Sequence, residues 1–309
     1  MSANKDMLHL DAAGSLFFKQ QLDYVRTKII EDKLLPNDYA RFLPVSAEMP
    51  LGASNFTWRS YTGYGQARMI ADYARDFPRV EIGASEQTVK PKEIGAAYGY
   101  SLMEIRRAQY AGVDLETRKA SLVRRVIDEK INAIAWKGDA VHNIPGFIKY
   151  PGSLEYTVPA TGTGTTKTWS TKTADQILVD LNGLLFSSFN ATNGIEMANA
   201  ILLPPTQMQL IKNLRSSTQS DTTVFEFFTR NNPGVMLEST FSLKGAGTGG
   251  TDVAIAYVKD SDHLTFELPM PFEQLEAERK ALEYNVPCMA TVVGVISYFP
   301  LAITFCQGI

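Results

Sequence analysis

Cysteine and histidine are scarce here: the 309-residue chain holds two of the first and three of the second. Cys288 and Cys306 stand in apolar, strand-like surroundings, which excludes a disulfide framework and reads as buried thiols in a reducing cytoplasm. His9, His142 and His263 lie far apart and in no ligand spacing such as H-E-x-x-H, so no metal centre is expected. A basic excess is missing too. Thirty Lys and Arg face 33 Asp and Glu, a formal net charge of −3, which excludes a dedicated nucleic-acid binder and leaves weak, non-specific contact with phosphates. No run approaches the ~18 apolar residues of a membrane span, and the polar start from Met1 to Asp11 lacks the apolar region of a signal peptide.

Catalytic signatures are equally sparse. Gly245-Ala-Gly247-Thr-Gly-Gly250 has the letters of a dinucleotide loop, but a strand rather than a helix is expected after it, so no helix N-terminus would meet a pyrophosphate. The run Thr161-Gly-Thr-Gly-Thr-Thr-Lys-Thr168 lacks the G-K-[S/T] of a phosphate loop and reads as an exposed loop. Glu273, Glu276, Glu278 and Glu283 are interleaved with Arg279 and Lys280, the pattern of a solvated or ion-pairing face. No G-x-S-x-G elbow occurs. The expectation is a protein without catalytic, cofactor or metal residues.

Hydrophobic content of 45% over 309 residues supports a sizeable core, and the length exceeds the roughly 150 residues of one typical domain. No repeat or linker divides the chain, so interwoven lobes are expected. Leu16, Phe17, Phe18, Leu22, Val25, Ile29 and Ile30 recur at helical steps before Pro36. Asn55 to Gly65 mixes aromatics with polar residues, and Ile94, Ala96, Tyr98 and Tyr100 alternate as in a half-buried strand. Read as a hairpin, these two segments enclose a polar tip, Asp72 to Gln87. Such a hairpin buries little of itself and needs a neighbour.

Ser101-x-x-Glu104 fits a capping box. Gly112 then breaks the helix, and Asp114 N-caps a longer one bearing Leu122, Val123, Val126, Ile127, Ile131, Ile134 and Ala135, with Gly138 as its stop. That helix would be roughly 35 Å long, a spine for a whole domain. Thr173-x-x-Gln176 announces a further helix over Ile177 to Leu185. Strands are expected at 198–203, 235–243, 253–258, 264–268, 282–298 and 303–305, with a helix from Met208 to Leu214.

The run Val89-Lys-Pro-Lys-Glu-Ile-Gly-Ala-Ala-Tyr-Gly-Tyr-Ser-Leu-Met-Glu-Ile-Arg-Arg-Ala, the spine from Asp114 to Lys137 with Gly138-Asp139, the phrase Ile144-Pro-Gly-Phe-Ile and the closing Val292-Val-Gly-Val-Ile-Ser-Tyr-Phe-Pro-Leu-Ala-Ile together resemble the major capsid proteins of tailed bacteriophages with the Hong Kong 97-type fold. The resemblance spans nearly the whole chain. It implies an α+β fold: an N-terminal arm at 1–50, an extended loop at 51–100, a peripheral domain at 101–143 and 263–309 carrying the spine, and an axial domain at 144–262. It further implies pentamers and hexamers of this chain in an icosahedral shell around double-stranded DNA, assembled in the host cytoplasm into the virion capsid, with a portal. Only some 50 residues precede the loop, so a separate scaffolding protein, or none, is implied.

Candidate assembly residues on the loop are Trp58, Arg59, Tyr61, Arg75, Lys90 and Lys92, and the spine core is expected at Leu122, Val126, Ile127 and Ile134. Some relatives lock neighbours through a Lys–Asn bond, but no motif marks Lys90 or Lys92 as a partner. Three alternatives stay open: a bacterial encapsulin shell, a tail or tube protein, and an uncharacterised hydrolase.

Overall fold

The computed structural model describes residues 37–69, 77–111, 115–216 and 221–309. The expected helix before Pro36, His9, Arg75, the Gly112 break and the Asp114 cap lie outside them.

A helix of 23 residues, Leu115–Lys137, forms the spine. Its stripe of Val123, Ile127, Ile131, Ile134 and Ala135 is buried, facing a core shared with Tyr98, Tyr100, Val286, Cys288 and Ala290. Those last residues come from Lys92–Ser101 and Glu283–Val292, which pair antiparallel in unbroken register from Glu283↔Ser101 to Val292↔Lys92. Met270–Gln274 and Glu278–Lys280 complete that sheet. Gly138 ends the spine with φ +71°. There the chain doubles back so that the N–H groups of Phe147 and Ile148 donate to the Ala135 and Trp136 carbonyls at 2.9 and 2.8 Å, satisfying acceptors a helix end leaves orphaned. A Cβ at Gly146 would collide with the backbone of Gly138 and Lys137.

The spine stripe is narrower than expected. Leu122 and Val126 are 58% and 49% exposed, so they do not belong to the subunit core, whereas Ile127 and Ile134 do. The reason is angular: Leu122 and Val126 sit four residues apart on the flank of the helix, some 100° from the Val123–Ile127–Ile134 line.

A second lobe is built on a five-stranded sheet in the order Leu154–Glu155, Ile303–Gln307, Val253–Tyr257, Ala200–Leu203, Met236–Ser239. Its central strands are buried on both faces, which explains their unbroken apolar runs. One face, with Leu202, Ile255 and Tyr257, joins the spine core through Phe147 and Trp136. The other, with Ile201, Ala254, Ala256 and Cys306, packs under Ile177, Leu181, Leu184, Leu185 and Phe228. The last strand, Ile303–Gln307, therefore pairs inside this sheet, across the boundary expected between 144–262 and 263–309.

Helix Ala174–Ala191 begins at the Thr173/Gln176 capping box. A further helix, Val224–Asn231, has the same device at Thr223/Glu226; it was missing from the expected elements. The Thr/Gly loop is less free than its composition suggests. At its end the buried Lys172 ammonium lies 2.6 Å from Asp180 Oδ2, Trp169 Nε1 donates to that same oxygen at 3.0 Å, and Lys172 also donates to the Pro159 carbonyl at 2.7 Å. Burial pushes the Asp180 carboxyl above its ordinary range, against the pull of Lys172. A small sheet of Val45–Ser46, Leu264–Glu267 and Gly294–Ser297 links the lobes' neighbouring segments. Val293 separates Glu283–Val292 from this last strand, which opens at Gly294 with φ +114°, so the expected continuous strand over 282–298 is two.

Candidate assembly surface

The arm departs from its expected pairing. Phe56–Tyr64 pairs antiparallel with Glu81–Val89, so residues 81–87, read as tip, are the returning strand. Residues 92–101 belong instead to the sheet under the spine. The reason is register and burial: Tyr98 and Tyr100 are buried and require a core-facing position, which a free hairpin lacks.

Each arm strand has nine residues, about 30 Å of reach, and the pair forms a two-stranded sheet that pairs with no other described strand. Only its root is seated. Phe56, Trp58, Val89 and Tyr298 pack on Met49, Val293 and Ile296, and the buried Glu267 accepts the Met49 N–H at 2.9 Å, fixing the chain just before the arm. Beyond the root, Tyr61, Tyr64, Val80 and Ile82 are 63–73% exposed. Cross-strand contacts are polar: Thr57 to Thr88 at 2.9 Å, Ser60 to Ser85 at 2.5 Å, and the exposed Arg59–Glu86 pair at 3.6 Å. Such pairs give roughly 0.2–1 kcal/mol each, and an isolated two-stranded hairpin is marginal in water. Exposed apolar side chains grouped on one element in this way are the mark of an interaction surface.

Of the expected assembly residues, Trp58 sits half-buried at the root, while Arg59 and Tyr61 are exposed along the arm. Lys90 is exposed in the link after the arm. Lys92 is half-buried opposite Val292 and so is on the body, not the arm. Tyr64, Val80 and Ile82 lie within the expected extended loop but were not among its named assembly residues, although the alternation Val80-x-Ile82 carries a strand signal; Met49, Val293 and Ile296 were missed because nothing local ties them to residue 56.

The arm's exit is anchored firmly. Lys119 Nζ donates to Glu104 Oε1 at 2.8 Å and to the Gly99 carbonyl at 2.9 Å, and lies 4.7 Å from the Tyr100 ring centre. That hydrogen bond holds the Glu104 carboxyl below its ordinary range. The Ser101 hydroxyl accepts the Glu104 N–H at 3.0 Å, starting helix Leu102–Ala111. Elsewhere, His142 hydrogen-bonds Asp139 at 3.1 Å and His263 bonds Glu196 at 2.9 Å. Gly245–Gly250 is a turn followed by the strand Val253–Tyr257, so no helix N-terminus follows it. Cys288 and Cys306 are buried and unbridged, and burial pushes the Cys306 thiol up to about 12. Among the described residues no helix is long and apolar enough to cross a membrane.

A two-lobed body on a spine helix, with a long arm that its own subunit cannot bury, defines a building block of a closed assembly. A family model described as major capsid protein matches residues 65–309. The chain belongs to the major capsid protein family and is a shell-forming capsid protein of the tailed-phage, Hong Kong 97-type fold. Among solved structures it resembles the capsid of Myoviridae phage XM1, at TM-score 0.80 and 15% identity over 94% of this chain and 98% of that one. It also resembles the capsid of an empty GTA particle, at 0.65 and 14% over 99% of each chain. A virus-like particle from Pyrococcus furiosus follows at 0.52 and 13%, over 86% and 91%. No curated protein matches the sequence.

Proposed function

We propose that copies of this chain form pentamers and hexamers that close into an icosahedral shell around double-stranded DNA, with the arm Phe56–Val89 lying across the next subunit. The observation carrying this is the arm itself, which pairs with no other described strand and exposes Tyr61, Tyr64, Val80 and Ile82. The lobe with the spine is the peripheral domain, and the lobe on the five-stranded sheet is the axial domain around each ring's axis. Assembly takes place in the host cytoplasm, with a portal and a separate scaffolding protein. The mechanism is geometric rather than catalytic: rings of identical subunits use heterologous contacts that close by rotation, and obligate interfaces bury on the order of 2,000 Å² or more. DNA inside is held weakly, in keeping with a net charge of −3, since a wall gripping phosphates tightly would resist dense packing.

Expression alone and beside its neighbouring genes, followed by sedimentation and electron microscopy, tests this. Closed particles that protect DNA from nuclease support it. A monomer under every condition would refute the shell, and particles filled with an enzyme rather than DNA would indicate the compartment reading.

A further inference from the structure

One feature of the body is unused by the arm of its own subunit. A groove of about 610 Å³ is lined by Pro44, Val45, Ser46, Glu48, Asp262 and Thr265. Its floor holds Thr265, 7% exposed. Its wall is the sheet-edge strand Val45–Ser46, paired on one side only. The Pro44 and Ser46 carbonyls accept Phe266 and Leu268 N–H groups at 2.7 and 2.8 Å, so the N–H and C=O of Val45 point to the open edge. Its rim carries two exposed carboxylates, Glu48 and Asp262. An unpaired strand edge beside an acidic rim is the arrangement of a site for an extended, basic peptide added as a strand.

We propose that the occupant is the segment Phe77-Pro78-Arg79-Val80 of a second copy of this chain, bound in the groove with Arg79 at Glu48 and Asp262. The segment has no helix or strand of its own, Phe77 and Val80 are 62% and 73% exposed, and it lies at the far end of the arm from its root. Arm and groove sit on different parts of one subunit, so their contact is heterologous and generates a ring when the rotation closes. This rests on the shell reading and names the surface that receives the arm.

The test is paired cysteines, Val45→Cys with Arg79→Cys, in the full chain. The native thiols are buried, so a short bis-maleimide should join only the new pair. Assembled particles should give a ladder of covalently joined subunits, absent from unassembled protein and from a control with Val141→Cys in place of Val45→Cys. Independently, Arg79→Glu should cut particle yield about tenfold, as like charges meet at the rim, and Glu48→Lys with Asp262→Lys should restore it. Particles that form normally but give neither ladder nor rescue overturn the groove assignment and leave the shell standing. A particle ladder from the Val141 control equal to that from Val45 also overturns it. Failure of the unmodified chain to form any particle, with neighbouring genes present, overturns both.

Discussion

Adjacent residues on the spine should respond in opposite ways to the same change, and the contrast tests the account of the core. Ile127 is 1% exposed and faces the sheet of Lys92–Ser101 and Glu283–Val292, whereas Val126 is 49% exposed. Ile127→Asp forfeits roughly 2–3 kcal/mol of apolar burial. It also places a carboxylate among Val123, Ile131 and Val286, where an unpaired charge costs several kcal/mol even after relaxation or protonation. The sum is about 5 kcal/mol or more, comparable with a whole domain's stability of 5–15 kcal/mol. Val126→Asp loses only part of one valine's burial, under about 1.5 kcal/mol, and its carboxylate stays in water. Helix propensities of Val and Asp are close, so that difference adds little. For a body of this size, 1 kcal/mol shifts the melting temperature by about 2–4 °C. Circular dichroism melts of unassembled subunits, with soluble yield as a second readout, should therefore show Ile127→Asp unfolded and Val126→Asp folded within a few degrees of the parent. A folded Ile127→Asp, or an unfolded Val126→Asp, would refute the assignment of inner and outer spine faces.

Replacing Gly63–Ile82 with an Asn-Gly turn across the Thr62↔Gly83 register pair should leave the circular dichroism of the body unchanged while electron microscopy finds no closed shells. Asp180→Ala should cost about 3–5 kcal/mol in denaturant titration, because it strands the buried Lys172 ammonium; a loss below 1 kcal/mol would show that water reaches Lys172. Thiol titration should find no reactive cysteine in native protein at neutral pH and two after unfolding. The burial that raises Cys306 from the ordinary 9.0 to about 12 favours the protonated thiol, so stability is unaffected by this group below the ordinary thiol value and falls progressively as pH rises from there to about 12, where the unfolded chain ionises and the native one does not. Gly146→Ala should destabilise by about 1–3 kcal/mol or more, measured by thermal melts, since the added methyl meets backbone rather than a movable side chain.

Local chemistry was legible in the residues alone. The Thr173/Gln176 capping box, the Gly138 stop and the apolar runs of Ala200–Leu203 and Val253–Tyr257 each act within a few residues, so their hydrogen-bonding and burial demands are written in the neighbouring letters. The spine could be read as a helix for the same reason. Tertiary structure alone decided which strand meets which. Alternation at Ile94–Tyr100 declares a half-buried strand but not its partner, and the partner proved to be Glu283–Val292, nearly 200 residues away, because only there could Tyr98 and Tyr100 be buried. The same limit applied to Leu122 and Val126: periodicity marks an apolar stripe, but its buried width depends on how much of the helix the sheet covers. It applied again to Ile303–Gln307, whose place beside Val253–Tyr257 was set by long-range pairing. A sequence specifies what each segment can bury, and the packed fold determines against what.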